Sequence, residues 1–448
     1  MALRRCIPDT RGGIVPSRSG APPAPEGAGA GSLAALSGSR RLTADARATL
    51  ASHGIYQFGN ALSLVFVNLY LWRLTNDLWL NGAYTLLTLL AALPATVYIG
   101  RVAKLRDRLY AYRLGIWLTA LFYLLILVFR ERIVEYFVFF AILKGVSTAF
   151  YWLGHFTLIF DVSNDDTRHR YLGWNSLFTN AANLSGPALA GWLIDAFAGL
   201  RGYYFVFGLA FVMFAVSAAL SFRMRKRPVL HRAYYLKYTG LLLRKRADFR
   251  RSLIGWWLVG LPQGILTYVP SILLYEALSR ESQVGYLNAF FLVLSMVSSY
   301  ALAQKGRNDA TRFYLAMSAW GLTLSSAALL VDVTLWTVVL FMCVMSLFRP
   351  VQANAYTAHY YRLVEELPLK NHFRVESVVI RESVINLGRA AGVVLYMLVA
   401  GENGAAGLPG VMFVVMMLQL AIGPLVLPRP RRAAGVGKRA EEHSGPPM

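Results

Sequence analysis

Two groups of side chains recur at a spacing that would let them act together. Lys144, Thr148, Tyr151 and His155 stand at i, i+4, i+7 and i+11, and Arg349, Gln352, Tyr356 and Tyr360 repeat nearly the same interval. At 3.6 residues per turn, each set falls on one face of a helix. Both sets lie inside apolar runs, where an ammonium or guanidinium costs roughly 2.5–3.5 kcal/mol on insertion scales and therefore faces a water-filled cavity or a partner. Two cations facing one cavity would attract an anion, with Tyr and Gln adding neutral hydrogen bonds. Pairing inside the protein, or snorkelling toward an interface, would explain the same cations without a ligand. Arg389, after Asn386 and Gly388, is a third such cation, whereas the neighbours Arg381 and Glu382 read as a local ion pair.

The remaining candidates are neutral or weakly basic. Gln57, Asn60 and Asn68 fall within about 80° of one helical face. Pro262, Gln263 and Gly264 interrupt a later apolar run, and such breaks free backbone groups that line sites or simply bend a helix. His155 titrates in the range of a proton carrier, although a lone His is more commonly an ordinary polar contact. The acids Asp161, Asp195, Glu276 and Glu382 all stand near the ends of apolar runs, so the sequence presents no obvious carboxylate for proton coupling. His155 or His359 could serve as the base of an intramembrane enzyme such as a lipid acyltransferase, but neither has a convincing catalytic partner. Cys6 and Cys343 offer neither a disulfide framework nor metal-ligand spacing. A phosphate-cradling G-x-x-x-x-G-K-[ST] loop is absent. No catalytic residue, metal or cofactor is expected, and the chain does not read as an enzyme.

The elements that must position these residues are helices in lipid. The chain has 448 residues, 56% hydrophobic and only 15% charged, more apolar than a soluble protein. A net charge of +22 could suit nucleic acid. Here, however, the Lys and Arg residues occupy short loops between apolar runs, which is the positive-inside pattern, and no nucleic-acid partner is expected. Apolar runs long enough to span a bilayer lie at about 52–73, 80–103, 110–129, 136–160, 172–195, 203–222, 253–275, 284–304, 313–331, 335–357, 377–400 and 408–427. Alternate loops carry the cations, including eleven Lys or Arg from Arg223 to Arg251, so both termini are expected in the cytoplasm of a multi-pass plasma-membrane protein. The expected organisation is a disordered basic tail (1–48), a six-helix bundle (49–222), a basic linker (223–251), a second six-helix bundle (252–428) and a second tail (429–448). The linker mixes Leu and Tyr with its cations, so it could lie at the lipid interface or serve as a solvated connector.

The halves repeat at an offset near 205 residues: Tyr70 answers Tyr275, and Lys144, Tyr151 and His155 answer Arg349, Tyr356 and Tyr360. Gly100, Arg101 and Arg106 answer Gly306, Arg307 and Arg312 at an offset of 206. Such repeats are common in transporters. The fifth run, Gly186, Pro187, Ala190 and Gly191, carries small residues that permit close helix approach and a Pro that bends the helix.

On these residues the chain resembles the major facilitator superfamily (MFS) over about residues 50–428. The fifth run is similar to that family's antiporter motif G-P-x-x-G-G, with Ala in place of one Gly. The loop from Gly100 to Arg108 is similar to the motif between its second and third helices. It departs from that motif at Lys104, where the family has Asp; Arg106 and Asp107 lie nearby in another register. The pattern also resembles a bacterial YqgE-like branch. The resemblance implies an all-α polytopic fold, twelve transmembrane helices in two six-helix bundles related by a pseudo-two-fold, rocking around a central site by alternating access. It assigns conformational roles to Gly100, Arg101, Arg106, Asp107, Gly186, Pro187, Gly191, Gly306, Arg307 and Arg312. The first-choice function is secondary transport of a small anionic or zwitterionic solute, with a proton or sodium ion as coupling partner, by a monomer in the bilayer. Its expected solute contacts are Gln57, Asn60, Lys144, Tyr151, His155, Gln263, Arg349, Gln352, Tyr356 and Arg389. Multidrug efflux is the alternative, and a non-transporting receptor or an intramembrane enzyme stands as a reading from another class.

Overall fold

The computed structural model describes residues 42–105, 108–162, 165–225, 234–305, 310–367, 373–403 and 407–426. The basic tails up to residue 41 and from 427 onward, linker residues 226–233, and Arg106, Asp107, Gly306 and Arg307 lie outside the described residues. No strand occurs among the described residues. The first six long helices are α1 (Ala44–Thr75), α2 (Leu78–Leu105), α3 (Arg108–Phe129), α4 (Phe137–Val162), α5 (Asp165–Asp195) and α6 (Arg201–Ser221). After a short helix, Tyr238–Lys245, come α7 (Ala247–Ile265, resuming as Val269–Leu278), α8 (Glu281–Lys305), α9 (Thr311–Val331), α10 (Leu335–Glu365), α11 (Arg374–Asn403) and α12 (Leu408–Met417, with further turns to Leu425).

Ten of these twelve combine the length and apolar content needed to cross a membrane. The other two, α1 and α5, have 32 and 31 residues and so are long enough but more polar. Their polar groups turn inward. His53 and Gln57 of α1 are buried, and Asn175, Ser176 and Thr179 of α5 line an internal cavity, where such groups escape lipid. Exposed Trp79, Tyr136, Trp192 and Trp336 gather at helix ends on the side away from the linker, and Tyr110, Phe222 and Phe313 at the ends on the linker side. Aromatic rings at both levels suit two membrane–water interfaces.

Helix pairing carries the two-fold relation. Within the first six helices, α1 packs on α5 and α6, α2 on α4, and α3 on α4 and α6; within the second six, α7 packs on α11, α8 on α10, and α9 on α10 and α12. Adding six to each member of the first set reproduces the second, with a lighter α7–α12 contact standing for α1–α6. The sets meet through α2–α11 and α5–α8, and the same operation exchanges those pairs. At the α7–α11 crossing, Gly260 and Gly264 face Gly388 and Gly392, and a Cβ on any of them would run into the opposing backbone. In lipid, where apolar surface gains nothing by leaving the solvent, such close approach is what binds helices.

Two local features depart from the sequence expectation. Helix α1 starts at Ala44, inside the stretch read as tail, because the Thr43 hydroxyl caps the Ala46 N–H at 3.1 Å and Asp45 occupies the first turn. The interruption expected at Pro262 falls later: α7 runs through to Ile265 and turns at residues 266–268. Pro262 lacks the N–H that would have reached the Leu258 carbonyl. Gln419 of α12 donates its Nε2 to that carbonyl at 2.8 Å, so the helix survives its proline.

Candidate functional site

The face where α1 begins and the 223–251 linker lies is called here the linker side. A cavity of about 660 Å³ occupies the linker-side half of the interior, between the two sets of six helices. One wall carries His53 of α1, His155 of α4 and Thr179 of α5; the other carries Tyr361 and Glu365 of α10 and Arg381 of α11.

The first wall is built from neutral hydrogen-bonding groups. His53 and His155 stack face to face with ring centroids 3.7 Å apart and planes 6° from parallel. His53 Nδ1 lies 2.6 Å from the Tyr151 hydroxyl, and its Nε2 lies 3.3 Å from the Thr179 hydroxyl. His155 is 1% exposed, and its Nδ1 has no hydrogen-bond partner. Gln57, also buried, has an unpartnered Oε1, while Asn60 is half-buried and its carbonyl accepts the Ser63 hydroxyl at 3.4 Å. Sequence reading missed His53. The signal was present, since His53 stands four residues before Gln57 and extends the same polar face by one turn.

Lys144 does not join this wall. Its Nζ sits 5.2 and 5.3 Å from the ring centroids of Phe122 and Tyr123 of α3, and 3.5 Å from the Tyr123 hydroxyl. The ammonium is thus held on aromatic faces within its own bundle, an arrangement worth about 0.5–2 kcal/mol. The stripe on α4 therefore splits: Lys144 turns to α3, Tyr151 to α1, and His155 to the cavity.

The second set of helices holds the charge. Arg389 donates from Nε and Nη2 to Gln263 Oε1 at 3.1 and 2.7 Å, and from Nη1 to Asn386 Oδ1 at 2.9 Å; all these acceptors are neutral amides. Arg349 is solvent-exposed although protein surrounds it, and it lies near enough to Arg389 for the two charges to repel. Among the described residues, no carboxylate pairs with either. Glu382, whose field reaches Arg389, is bound to Arg381 at 2.7 Å. The other members of the α10 stripe are committed to packing. The Tyr356 hydroxyl donates to the Ser252 carbonyl at 2.8 Å, the Tyr360 hydroxyl to the Ser377 carbonyl at 2.8 Å, and Gln352 Nε2 meets Gln419 Oε1 at 3.4 Å. Arg349 alone of that stripe is open.

On the side away from the linker, groups from the first six helices close over the start of α8. Arg73 of α1 pairs with Glu281 at 2.6 Å, and the Tyr203 hydroxyl of α6 donates to the same carboxylate oxygen at 3.1 Å. Asp195, the last residue of α5, accepts the backbone N–H groups of Glu281 and Ser282 at 3.1 and 3.2 Å, which suits a carboxylate at a helix N-terminus. The small residues of the fifth helix lie directly beneath. Gly186 presses on Ala61 of α1, Gly191 on the Glu281 backbone, and Pro187 faces Gly285 of α8. At the opposite end, Gly100 abuts Val379 of α11 and the Tyr234 hydroxyl of the linker segment, and Arg101 is exposed. Arg312 ties α9 to the end of α12 by donating to the Val426 carbonyl at 2.6 Å.

The family model described as Major Facilitator Superfamily matches residues 49–367. The chain is similar to the uncharacterized protein YqgE of Bacillus subtilis (strain 168), at 26% identity over 349 residues, covering 77% of this chain and 80% of that one. Among solved structures, it is similar to the nucleoside transporter NupG, with a TM-score of 0.65 at 12% identity, covering 84% of this chain and 97% of that one. It is also similar to an outward-facing bacterial homologue of the iron transporter ferroportin, with a TM-score of 0.60 at 14% identity, covering 86% and 98%.

Proposed function

The chain belongs to the major facilitator superfamily and is a multi-pass membrane transporter rather than an enzyme; on that premise we propose that it carries a small anionic solute by alternating access. One observation carries this reading: Arg349 lies within reach of the Arg389 charge inside the protein, and among the described residues neither has a carboxylate partner. Two guanidinium groups without counter-ions repel each other and lack full hydration. An anion received between them would relieve both costs, and planar, bidentate guanidinium groups suit carboxylate or phosphate. The solved relatives include a nucleoside transporter and an iron-transporter homologue, so the shared fold does not select a solute.

The cycle follows from where the molecule is closed. With Arg73, Tyr203 and Asp195 clamped on the start of α8, and the cavity lying toward the linker, this is a state loaded from the linker side. Release on the other side requires Arg73 to part from Glu281 while α5–α8 and α2–α11 rock about their small-residue contacts. We assign the linker side to the cytoplasm, on the strength of its eleven Lys and Arg residues.

A thermal-shift panel tests the solute class. Purified wild type, Arg349→Ala and Arg389→Ala would be challenged with phosphate, succinate and benzoate, and with matched neutral and cationic compounds. A specific ligand stabilises the native state by mass action. The expected outcome is stabilisation by at least one anion that both variants lose. Stabilisation of all three proteins by cationic or apolar compounds alone would overturn the reading in favour of drug export.

A further inference from the structure

A groove of about 610 Å³ runs between α2 and α4, apart from the cavity between the two sets of helices and sharing no residue with it. Buried Ala95 and Phe150 form its floor, and Leu90, Tyr98, Ile142 and Val146 its walls. Gly145 brings the two backbones together at the Thr88 carbonyl, and the small side chain of Ala95 keeps the floor low. Leu90, Tyr98 and Ile142 are 42%, 62% and 45% exposed. On a protein that spans a membrane, an open apolar surface of this kind faces lipid.

Its dimensions match one leaflet. On α2 the lining runs from Leu87 to Tyr98, about 16 Å at about 1.5 Å per residue, against about 15 Å for half of a hydrocarbon core. Leu87 lies toward the middle of α2 and Tyr98 toward its linker-side end, so the groove belongs to the linker-side leaflet. Arg101 follows about one turn beyond Tyr98 and falls within about 20° of Leu90 and Pro94 on the helix. It is exposed, and among the described residues no acid pairs with it. Tyr234 of the linker segment reaches over this end, donating its hydroxyl to the Val97 carbonyl at 3.4 Å, close enough to Arg101 to feel its charge. Glu376 acts on the same hydroxyl, but it is fully buried and accepts the Tyr235 N–H at 2.8 Å. The mouth of the groove therefore offers a guanidinium and a phenol to the membrane surface.

We propose that this groove is a binding site for one anionic phospholipid of the linker-side leaflet, with an acyl chain lying between α2 and α4 and the phosphate on Arg101. An apolar chain gains nothing by leaving a solvent of other apolar chains, so the groove holds it by shape and dispersion contacts alone. Selection then comes from the head group. A guanidinium without an acid partner binds phosphate through paired, charge-assisted hydrogen bonds, and it favours a phosphate whose charge is not already cancelled by a cation of its own head group. The site is independent of the solute that the central cavity carries.

Native mass spectrometry of the full chain, released from micelles holding equal amounts of dioleoyl phosphatidylglycerol and dioleoyl phosphatidylcholine, reads the preference directly. Wild type should retain phosphatidylglycerol over phosphatidylcholine about fivefold, the scale of one cation at a charged surface. Arg101→Gln should bring that ratio close to one, and Arg101→Lys should keep most of it. Arg250→Gln, which removes an exposed cation at the start of α7, should leave it unchanged. Val146→Phe fills the groove and should lose most of the retained lipid of either kind. Leu90→Ala, which takes down a wall instead, gives the same reading if Val146→Phe melts early. Equal retention of both lipids by wild type would overturn the assignment, as would a preference that survives Arg101→Gln or falls as far in Arg250→Gln. Retention unaltered in both Val146→Phe and Leu90→Ala would overturn the groove, leaving only a surface contact with the basic side.

Discussion

Lys144 and Arg349 occupy equivalent places in the two halves of the molecule, yet they meet opposite fates. Lys144 lies on the rings of Phe122 and Tyr123, inside its own bundle; Arg349 stands exposed in the interior beside Arg389. The rest of each half follows the same division. The first six helices line the interior with His53, His155, Tyr151 and Gln57, groups that form hydrogen bonds without fixed charge. The second six hold Arg389 on the neutral amides of Gln263 and Asn386. A duplicated frame has thus been divided: one copy keeps its cation open, the other seals it. Symmetry of helices does not carry symmetry of electrostatics, because the residues that sheathe a cation come from a neighbouring helix and diverge independently of it.

The contrast can be broken most sharply at Arg349. Replacing it with Ala should weaken the apparent affinity for the stabilising anion about 10- to 100-fold, the loss of one charge-assisted contact, with Arg349→Lys recovering part of it; ligand-dependent thermal shifts read both. Next in size is the clamp that joins the halves. Glu281→Gln removes its ion pair and should favour the opposite opening by about 1–2 kcal/mol, so an impermeant maleimide should label Ser282→Cys roughly tenfold faster in that background. Unchanged labelling would mean that the clamp does not hold the closed side. A smaller loss is expected from Gln419→Leu, which returns the Leu258 carbonyl to an unsatisfied state in lipid. Melting should show about 1 kcal/mol less stability, with anion affinity unchanged. Least of all should follow from Lys144→Met: stability within about 1 kcal/mol of wild type and anion affinity within about twofold. A large loss of affinity there would erase the distinction between the halves.

Much of the architecture could be read in advance. Apolar runs of helix-spanning length and cations in alternate loops are one-dimensional signals, and so is the spacing of Gly186, Pro187 and Gly191. The stripes on α4 and α10 were visible as spacing, but spacing names a helical face without saying what lies opposite. For Lys144 that was decided by two rings on α3. For Tyr356 and Gln352 it was decided by a backbone carbonyl of α7 and an amide of α12. The stacked His53 and His155 stand 102 positions apart in the chain, and their pairing depends on how closely α1 and α4 approach. Pro262 announced an interruption truthfully but in the wrong place, because the group that repairs the helix belongs to Gln419, far along the sequence.

That repair determines where α7 can swing. Its longer part, Ala247–Ile265, is pegged to α12 and pressed on α11, so it must travel with its bundle as a block. The outer part, Val269–Leu278, about 15 Å long, is set off by the turn at residues 266–268 and packs on α1, α8 and α10. Near its end is Tyr275, whose ring lies 5.8 Å from the Arg73 guanidinium. The turn at residues 266–268 thus separates a part held to α11 and α12 from a part that meets the arginine closing the far side. Because the helix survives its proline, its one break falls next to the end that touches that arginine.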